Sequence, residues 1–272
     1  MTNDVIIVTI CKNESRYLRE FVAYHLGIGF DRIVIGDNND VNGESYDALL
    51  NDYISEGKVQ LIDLRGKEGF QKEFYNTITD YGVRYQWAAY IDVDEFVTFS
   101  PSADKKYGHD IKKFLFDTKN KGIRVFKLNW MLYGDNGKIE YEDAPVIDRF
   151  PEPLLDNEDN EHCKSILRGD VFPNFEYSPH ATNGIGRQYS PSGHDVGPGP
   201  FSKAKDYSVL YIRHYYTKSL QEWCEIKMGR GYADYKRNER KEYYPLKTYF
   251  KYNEWTKDKQ KFLDEHGYEY ER

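Results

Sequence analysis

Cysteine is scarce in this chain, and there is no long apolar run, no excess of basic charge and no glycine-rich loop near the start. Each absence removes a class of function. Three cysteines, Cys11, Cys163 and Cys224, lie far apart. They are odd in number and fit neither a disulfide framework nor a zinc-ligand spacing, which points to a reducing compartment. No stretch approaches the ~20 apolar residues of a membrane-crossing helix. The opening Met-Thr-Asn-Asp and the short apolar run behind it are too brief and too acidic for a secretory signal. The expectation is a cytoplasmic protein with at most peripheral contact at the inner face of a membrane. With 38 basic against 45 acidic residues the net charge is −7. A general nucleic-acid binder needs a basic face that this balance does not supply. No internal repeat, heptad array or low-complexity linker divides the sequence.

What is present is a 272-residue chain with 39% hydrophobic and 31% charged residues, the balance of a globular protein able to build one large core. Aromatics reach 16%, including 25 tyrosines. Their flat amphipathic faces suit sugars and bases as well as ordinary packing.

The apolar run Val5–Ile10 predicts a buried parallel strand. A helix over residues 14–26 follows, with Tyr17, Leu18, Phe21, Val22 and His25 on one stripe and Asn13 as its N-cap. Further strands are expected at 32–35, 59–64 and 86–91, and helices at 45–54 and 69–81. Such alternation over about ninety residues is the signature of βαβ units, a mostly parallel sheet with helices on both faces. Beyond residue 100 the alternation breaks down. Strands are expected at 123–130 and 209–215, a helix from Ser219 to about Arg230, and a last helix at 255–265. Residues 182–202 hold five Gly and three Pro, which suggests a mobile or ligand-ordered loop.

The most informative segment is Trp87-Ala88-Ala89-Tyr90-Ile91-Asp92-Val93-Asp94-Glu95-Phe96. An apolar strand ends there in two carboxylates, at the sheet edge where ligands bind in open α/β folds. Clustered carboxylates repel one another unless a cation sits between them. A hard divalent ion such as Mg²⁺ or Mn²⁺, shared with substrate phosphates, is the natural occupant. Asp-x-Asp alone is a weak pattern, common in solvated turns. Here Lys12-Asn13-Glu14 and Asp37-Asn38-Asn39 follow the first two strands, so three polar clusters converge on one edge.

Together these residues resemble the metal-dependent GT-A glycosyltransferases, with glycosyltransferase family 92 and its family-2-like branch as the nearest match. The resemblance rests on Cys11-Lys12-Asn13-Glu14, Tyr17-Leu18-Arg19-Glu20-Phe21, Tyr24-His25, Asp37-Asn38 and Ile91-Asp92-Val93-Asp94-Glu95-Phe96. It continues through Trp130, Tyr133-Gly134, Arg149-Phe150, Lys164-Ser165-Ile166, His180, His214-Tyr215, Lys218-Ser219 and Lys227…Arg230-Gly231.

The resemblance implies one domain across the chain. Residues 1–100 would form a nucleotide-binding half, 101–235 an acceptor and catalytic half, and 236–272 a helical tail. It implies transfer of a sugar, galactose among the candidates, from a UDP-sugar donor to a hydroxyl of an oligosaccharide or lipid-linked saccharide, with inversion favoured and surface polysaccharide synthesis as a setting. Asn13, Glu14, Asp37 and Asn38 would contact the nucleotide. Asp92 would approach the ribose or a metal-bound water, Asp94 would bind the ion, and His214 is a further ligand candidate. Lys164, Lys218 and Arg230 are candidates for the diphosphate. Trp130 and His180 fall where acceptor contacts are expected. Tyr133-Gly134-Asp135 departs from the family's Phe-Gly-Ser form. For the catalytic base, Asp135, His180, Asp195 and Asp234 are all eligible.

Two other functions compete. A sugar nucleotidyltransferase shares the fold and acidic site but needs a Gly-rich, basic loop after the first strand, and Cys11-Lys12-Asn13-Glu14 has no glycine. A non-catalytic carbohydrate-binding protein would use the aromatic surface and need neither aspartate. A glycosidase is disfavoured, because carboxylates two residues apart on one strand end cannot readily flank a glycosidic bond.

Overall fold

The computed structural model describes residues 4–230 and 245–270. Its centre is an eight-stranded sheet. The strands are β1 (Val5–Cys11), β2 (Arg32–Asp37), β3 (Val59–Asp63), β4 (Trp87–Tyr90), β5 (Glu95–Phe99), β6 (Val125–Leu132), β7 (Cys163–Arg168) and β8 (Leu210–His214). They lie in the order β3-β2-β1-β4-β7-β6-β8-β5. The first four are mutually parallel. β7 runs antiparallel to both β4 and β6. β6 serves both parts of the sheet: Val125–Asn129 pairs with β7, and Trp130–Leu132 continues beside β8. β5 closes the far edge, antiparallel to β8.

Every residue of β1 is buried, because both of its faces are covered. Val5 and Ile7 pack with Leu18, Phe21 and Val22 of the helix Ser15–Gly27. Ile6, Val8 and Ile10 face the opposite layer with Phe74 and Tyr75 of the helix Gln71–Asn76. The alternating strand and helix pattern of the first ninety residues is therefore present, and the α/β class with it.

Several local expectations change. Asn13 is not an N-cap: it adopts φ +53, Glu14 takes the cap position without a side-chain bond, and Asn13 N–H donates to Asn39 Oδ1 at 2.8 Å. Asparagine tolerates that left-handed backbone better than most residues. The helix expected at 45–54 forms only over Asn51–Ser55. The preceding turn instead buries Tyr46, whose hydroxyl accepts from Glu14 N–H at 3.2 Å. The helix expected at 69–81 divides into Gln71–Asn76 and a 3-10 turn, Ile78–Tyr81, which Gly82 ends at φ +75.

β5 was not anticipated. It begins immediately after the Asp pair, so the aspartates occupy a tight turn that carries the chain from the sheet centre to its far edge. The Gly- and Pro-rich stretch is anchored at its middle. Tyr189 exchanges backbone bonds with Val125 and Lys127, and Ser192 Oγ donates to Asp206 at 2.5 Å. Among the described residues no helix is long and apolar enough to cross a membrane.

Candidate active site

The turn after β4 divides the two aspartates. Asp92 Oδ2 accepts from Lys164 Nζ at 2.7 Å and Oδ1 accepts from Gln71 at 2.8 Å. Asp94 turns the other way and is almost fully buried: Lys227 Nζ donates to its Oδ2 at 2.8 Å, and His214 Nε2 lies 3.4 Å from Oδ1. The two carboxylates, expected from their spacing to face one cation, make different contacts. Each has its own lysine, delivered from a different element.

Lys164 stands on β7, opposite β4, and its ammonium also lies 3.7 Å from Glu95. Burial works against its charge, but Asp92 and Glu95 outweigh burial and hold its pKa above the ordinary lysine value. Burial raises Glu95 well above the usual carboxylate range, with Lys164 opposing. Burial would also raise Asp94. Lys227 and His214 reverse that and keep it well below its ordinary value, so it is ionised. Burial lowers both His214 and Lys227, with Asp94 opposing in each case.

Lys227 and Arg230 come from one segment. Ser219 opens it with a capping box, its hydroxyl and backbone both bonded to Glu222. The helix Leu220–Glu222 then widens into a π-helical turn over Trp223–Lys227 before Met228–Arg230. Such turns are rare and recur at functional sites. Here the turn presents Lys227 to Asp94, after β4, and Arg230 to the carboxylate of Glu14, after β1. Glu222 is itself clamped by Arg149 through two bonds of 2.8 and 2.9 Å and by the Tyr17 hydroxyl at 2.8 Å.

The other part of the edge is built from β1 and β2, whose ends pair Cys11 with Asp37. Asn39 N–H and Nδ2 both donate to Asp37 Oδ1, at 3.1 and 2.8 Å. Burial raises the Asp37 pKa against those bonds. Asn38 uses its amide to hold the carbonyls of Leu64 and Lys67. Glu14 Oε2 is buried with no hydrogen-bond partner.

On the other side lies Trp130. His162 stacks on it at 4.6 Å, His214 packs at 4.2 Å and His180 approaches edge-on at 5.0 Å. Trp130 is only 9% exposed, so its faces are occupied by histidines and not open to a sugar ring. His180 Nδ1 lies 3.3 Å from the Cys163 carbonyl, and the His180 carbonyl accepts from the buried Lys127 ammonium at 2.5 Å. Burial, with Lys164 and His162 nearby, lowers the His180 pKa well below the ordinary imidazole value.

The structure thus brings together Asn13, Glu14, Asp37, Asn38, Asp92, Asp94, Lys164, His214, Lys218 and Arg230 around one edge, with His180 beside Trp130. It sets the other candidates apart. Asp135 is buried against the carboxyl-terminal helices: its Oδ2 accepts from Tyr249 and Lys259, each at 2.5 Å, and its N–H donates to Asn253. Asp195 is an exposed loop residue whose nearest cation, Arg187, is 3.8 Å away. Asp234 lies outside the described residues. Sequence reasoning gave no role to Gln71, Glu95, Asn39 or Lys227. Three of them carried a signal: Glu95 in the motif around the Asp pair, Asn39 in the polar cluster after the second strand, and Lys227 in the Lys227…Arg230 stretch.

As metal donors, Asp94 Oδ1 and His214 Nε2 are close enough to reach one ion together, while Asp92 is engaged elsewhere. Among the described residues no group of three or more His, Cys, Asp or Glu side chains converges to hold a metal. Two protein donors fit a Mg²⁺- or Mn²⁺-type ion that draws its remaining ligands from phosphate oxygens and water.

The profile of glycosyltransferase family 92 matches residues 8–149, more than half of the chain and the part that carries β1 to β6 and the Asp pair. The chain belongs to glycosyltransferase family 92. The sheet, with its parallel first four strands, is the GT-A arrangement expected of it. Among solved structures, this family 92 chain is similar to S. aureus TarS 1-349, at 12% identity over 64% of this chain and 51% of that one, with a TM-score of 0.39. TarS 1-349 in complex with UDP matches at 13% identity over 63% and 50%, with a TM-score of 0.38. The apo-form glycosyltransferase GlyE of Streptococcus pneumoniae TIGR4 matches at 15% identity over 62% and 34%, with a TM-score of 0.30. The chain spans about half or less of the length of these proteins. No curated protein matches its sequence.

Proposed function

We propose that this family 92 chain transfers a sugar from a UDP-sugar to a hydroxyl of a saccharide acceptor, free or lipid-linked, with inversion at the anomeric carbon. The observation that carries this reading is the pair of contacts made by one segment: Lys227 on Asp94 and Arg230 on Glu14. Together they draw the carboxyl ends of β1 and β4 and a cationic rim into one place, as a nucleotide diphosphate requires. The uridine lies toward Asn13, Asp37 and Asn38. The diphosphate faces Lys164, Lys218, Lys227 and Arg230, fixed cations that oppose the charge building on it as the bond to the sugar breaks.

A divalent ion, when bound, supplies Lewis-acid stabilisation of the departing diphosphate. Asp94 and His214 are the residues that would hold it, with Asp92 reaching it only through water or the ribose. The acceptor oxygen attacks the anomeric carbon from the face opposite the diphosphate and gives up its proton to a base. Of the four candidates, His180 has the surroundings for that role. It is half-buried beside Trp130, its low pKa keeps the imidazole neutral, and Nδ1 is occupied by the Cys163 carbonyl. Nε2 is then left to accept the proton.

Calorimetric titration of UDP with Mn²⁺ and with EDTA, on wild type and Asp94→Ala, tests the donor site. Binding that strengthens with Mn²⁺ in wild type, and loses that gain in the variant, supports it. Lack of UDP binding in wild type under both conditions sinks the UDP assignment.

A further inference from the structure

Lys218 is out of keeping with its surroundings. Other buried cations of the protein have a hydrogen-bonded or ionic partner: Lys164 on Asp92, Lys227 on Asp94, Arg149 on Glu222, and Lys127 on the His180 carbonyl. Lys218 is just as buried, at 5% exposure. Among the described residues its ammonium makes no hydrogen bond and no ion pair, and it rests 4.3 Å over the face of Tyr17. A cation over an aromatic ring recovers only part of what a lysine loses on leaving water.

Its backbone is also strained, at φ +55, a region that a long side chain rarely adopts. Strain of this kind persists only where the surroundings enforce it, and it clusters at ligand clamps. The enforcement is visible. The next residue, Ser219, is locked by its capping box to Glu222, and Glu222 is gripped by Arg149 and by the hydroxyl of Tyr17. One buried network therefore fixes both the backbone that carries Lys218 and the ring beneath its ammonium. Asp94, then Glu222 and Glu20, are the carboxylates that act on it through space, none within ion-pair distance, and His214, four residues earlier in the chain, lies beside Asp94.

We propose that Lys218 is a dedicated anion receptor, held strained and uncompensated so that the diphosphate of the donor supplies its missing partner. This rests on the donor reading above and assigns that site its recognition element for the diphosphate.

The test compares wild type with Lys218→Met and Lys218→Asn in binding UDP, inorganic pyrophosphate and uridine, together with thermal melting. Both variants should bind UDP and pyrophosphate roughly tenfold or more weakly. Uridine affinity should be unchanged. Lys218→Asn should melt at or above the wild-type temperature, since asparagine accepts the left-handed backbone and removes an unpaired buried charge. Variants that hold UDP and pyrophosphate as tightly as wild type overturn the assignment, as does a lowered melting temperature with equal loss of all three ligands. The donor reading fails separately. If wild type binds pyrophosphate but not UDP, and the variants lose pyrophosphate, the anion receptor stands and the UDP donor does not.

Discussion

Lys227 Nζ donates to Asp94 Oδ2 at 2.8 Å across 133 residues of sequence, and both side chains are almost wholly buried. A buried pair of this kind contributes little net stability over an apolar pair, but breaking it leaves an uncompensated charge, at a cost of about 3–5 kcal/mol. Asp94, proposed as a metal ligand, is therefore a structural group as well.

Asp94→Ala should abolish sugar transfer and also destabilise the fold by about 3–5 kcal/mol, where the sequence alone suggests a loss confined to activity. Adding Lys227→Met should restore most of the stability and none of the activity. Urea unfolding of the two single variants and the double variant, alongside turnover, reads this directly. An Asp94→Ala protein as stable as wild type would show that the pair does not form.

His180 as base predicts a pH profile. Its pKa is lowered chiefly by burial, so the neutral, proton-accepting form persists below the ordinary imidazole value of 6.5. The acid limb of kcat/KM should accordingly lie below pH 6.5. His180→Gln should cut kcat by about a hundredfold or more and remove that limb. Near-normal turnover in the variant would eliminate His180 as the base.

His25 makes stability depend on pH away from the site. Nδ1 lies 2.8 Å from the Phe21 carbonyl, and Nε2 accepts from Val97 N–H at 3.2 Å, so the ring is committed to its neutral form. Burial pushes its pKa down from 6.5 to about 3. The unfolded chain then binds one more proton than the native chain between those values. Above pH 6.5 the ring makes no demand; below it, stability falls by about 1.4 kcal/mol per pH unit until the native ring titrates. Unfolding of wild type and His25→Gln above and below pH 6.5 should show the variant with the shallower acid dependence; parallel curves would refute the assignment.

Asp135 fastens the carboxyl-terminal helices Leu246–Tyr252 and Lys257–Glu265 to the body through Tyr249, Lys259 and Asn253. Asp135→Asn leaves the Lys259 ammonium without its buried counter-charge and should lower stability by about 3 kcal/mol or more. Limited proteolysis should then cut the tail sooner than in wild type. If Asp135→Asn instead loses turnover with an unchanged unfolding curve and tail cleavage, Asp135 returns to the list of bases.

The first four strands were legible because their signals are local. An apolar run such as Val5–Ile10 can only be buried, and short alternating connections leave few topologies. The polar clusters at 12–14, 37–39 and 92–94 followed from where those strands end. The pairings within the site were not legible. Nothing local says that Lys164 takes Asp92 while Lys227 takes Asp94, since each pairing depends on antiparallel strands and a π-helical turn far along the chain. The same holds for Asp135. It was one of four candidates for the base, and its burial against Tyr249 and Lys259 was set by a tail more than a hundred residues away.

By itself the sequence determined the α/β class, the strand ends at which the polar clusters lie and the family to which the chain belongs, because hydrophobic periodicity and contiguous motifs act over a few residues. Tertiary structure alone decided which cation meets which carboxylate, that the faces of Trp130 are covered by histidines, and that the Lys218 ammonium makes no hydrogen bond or ion pair among the described residues. Those outcomes depend on distances between residues remote in sequence, and on burial strengthening each charge interaction by removing the water that would otherwise screen it.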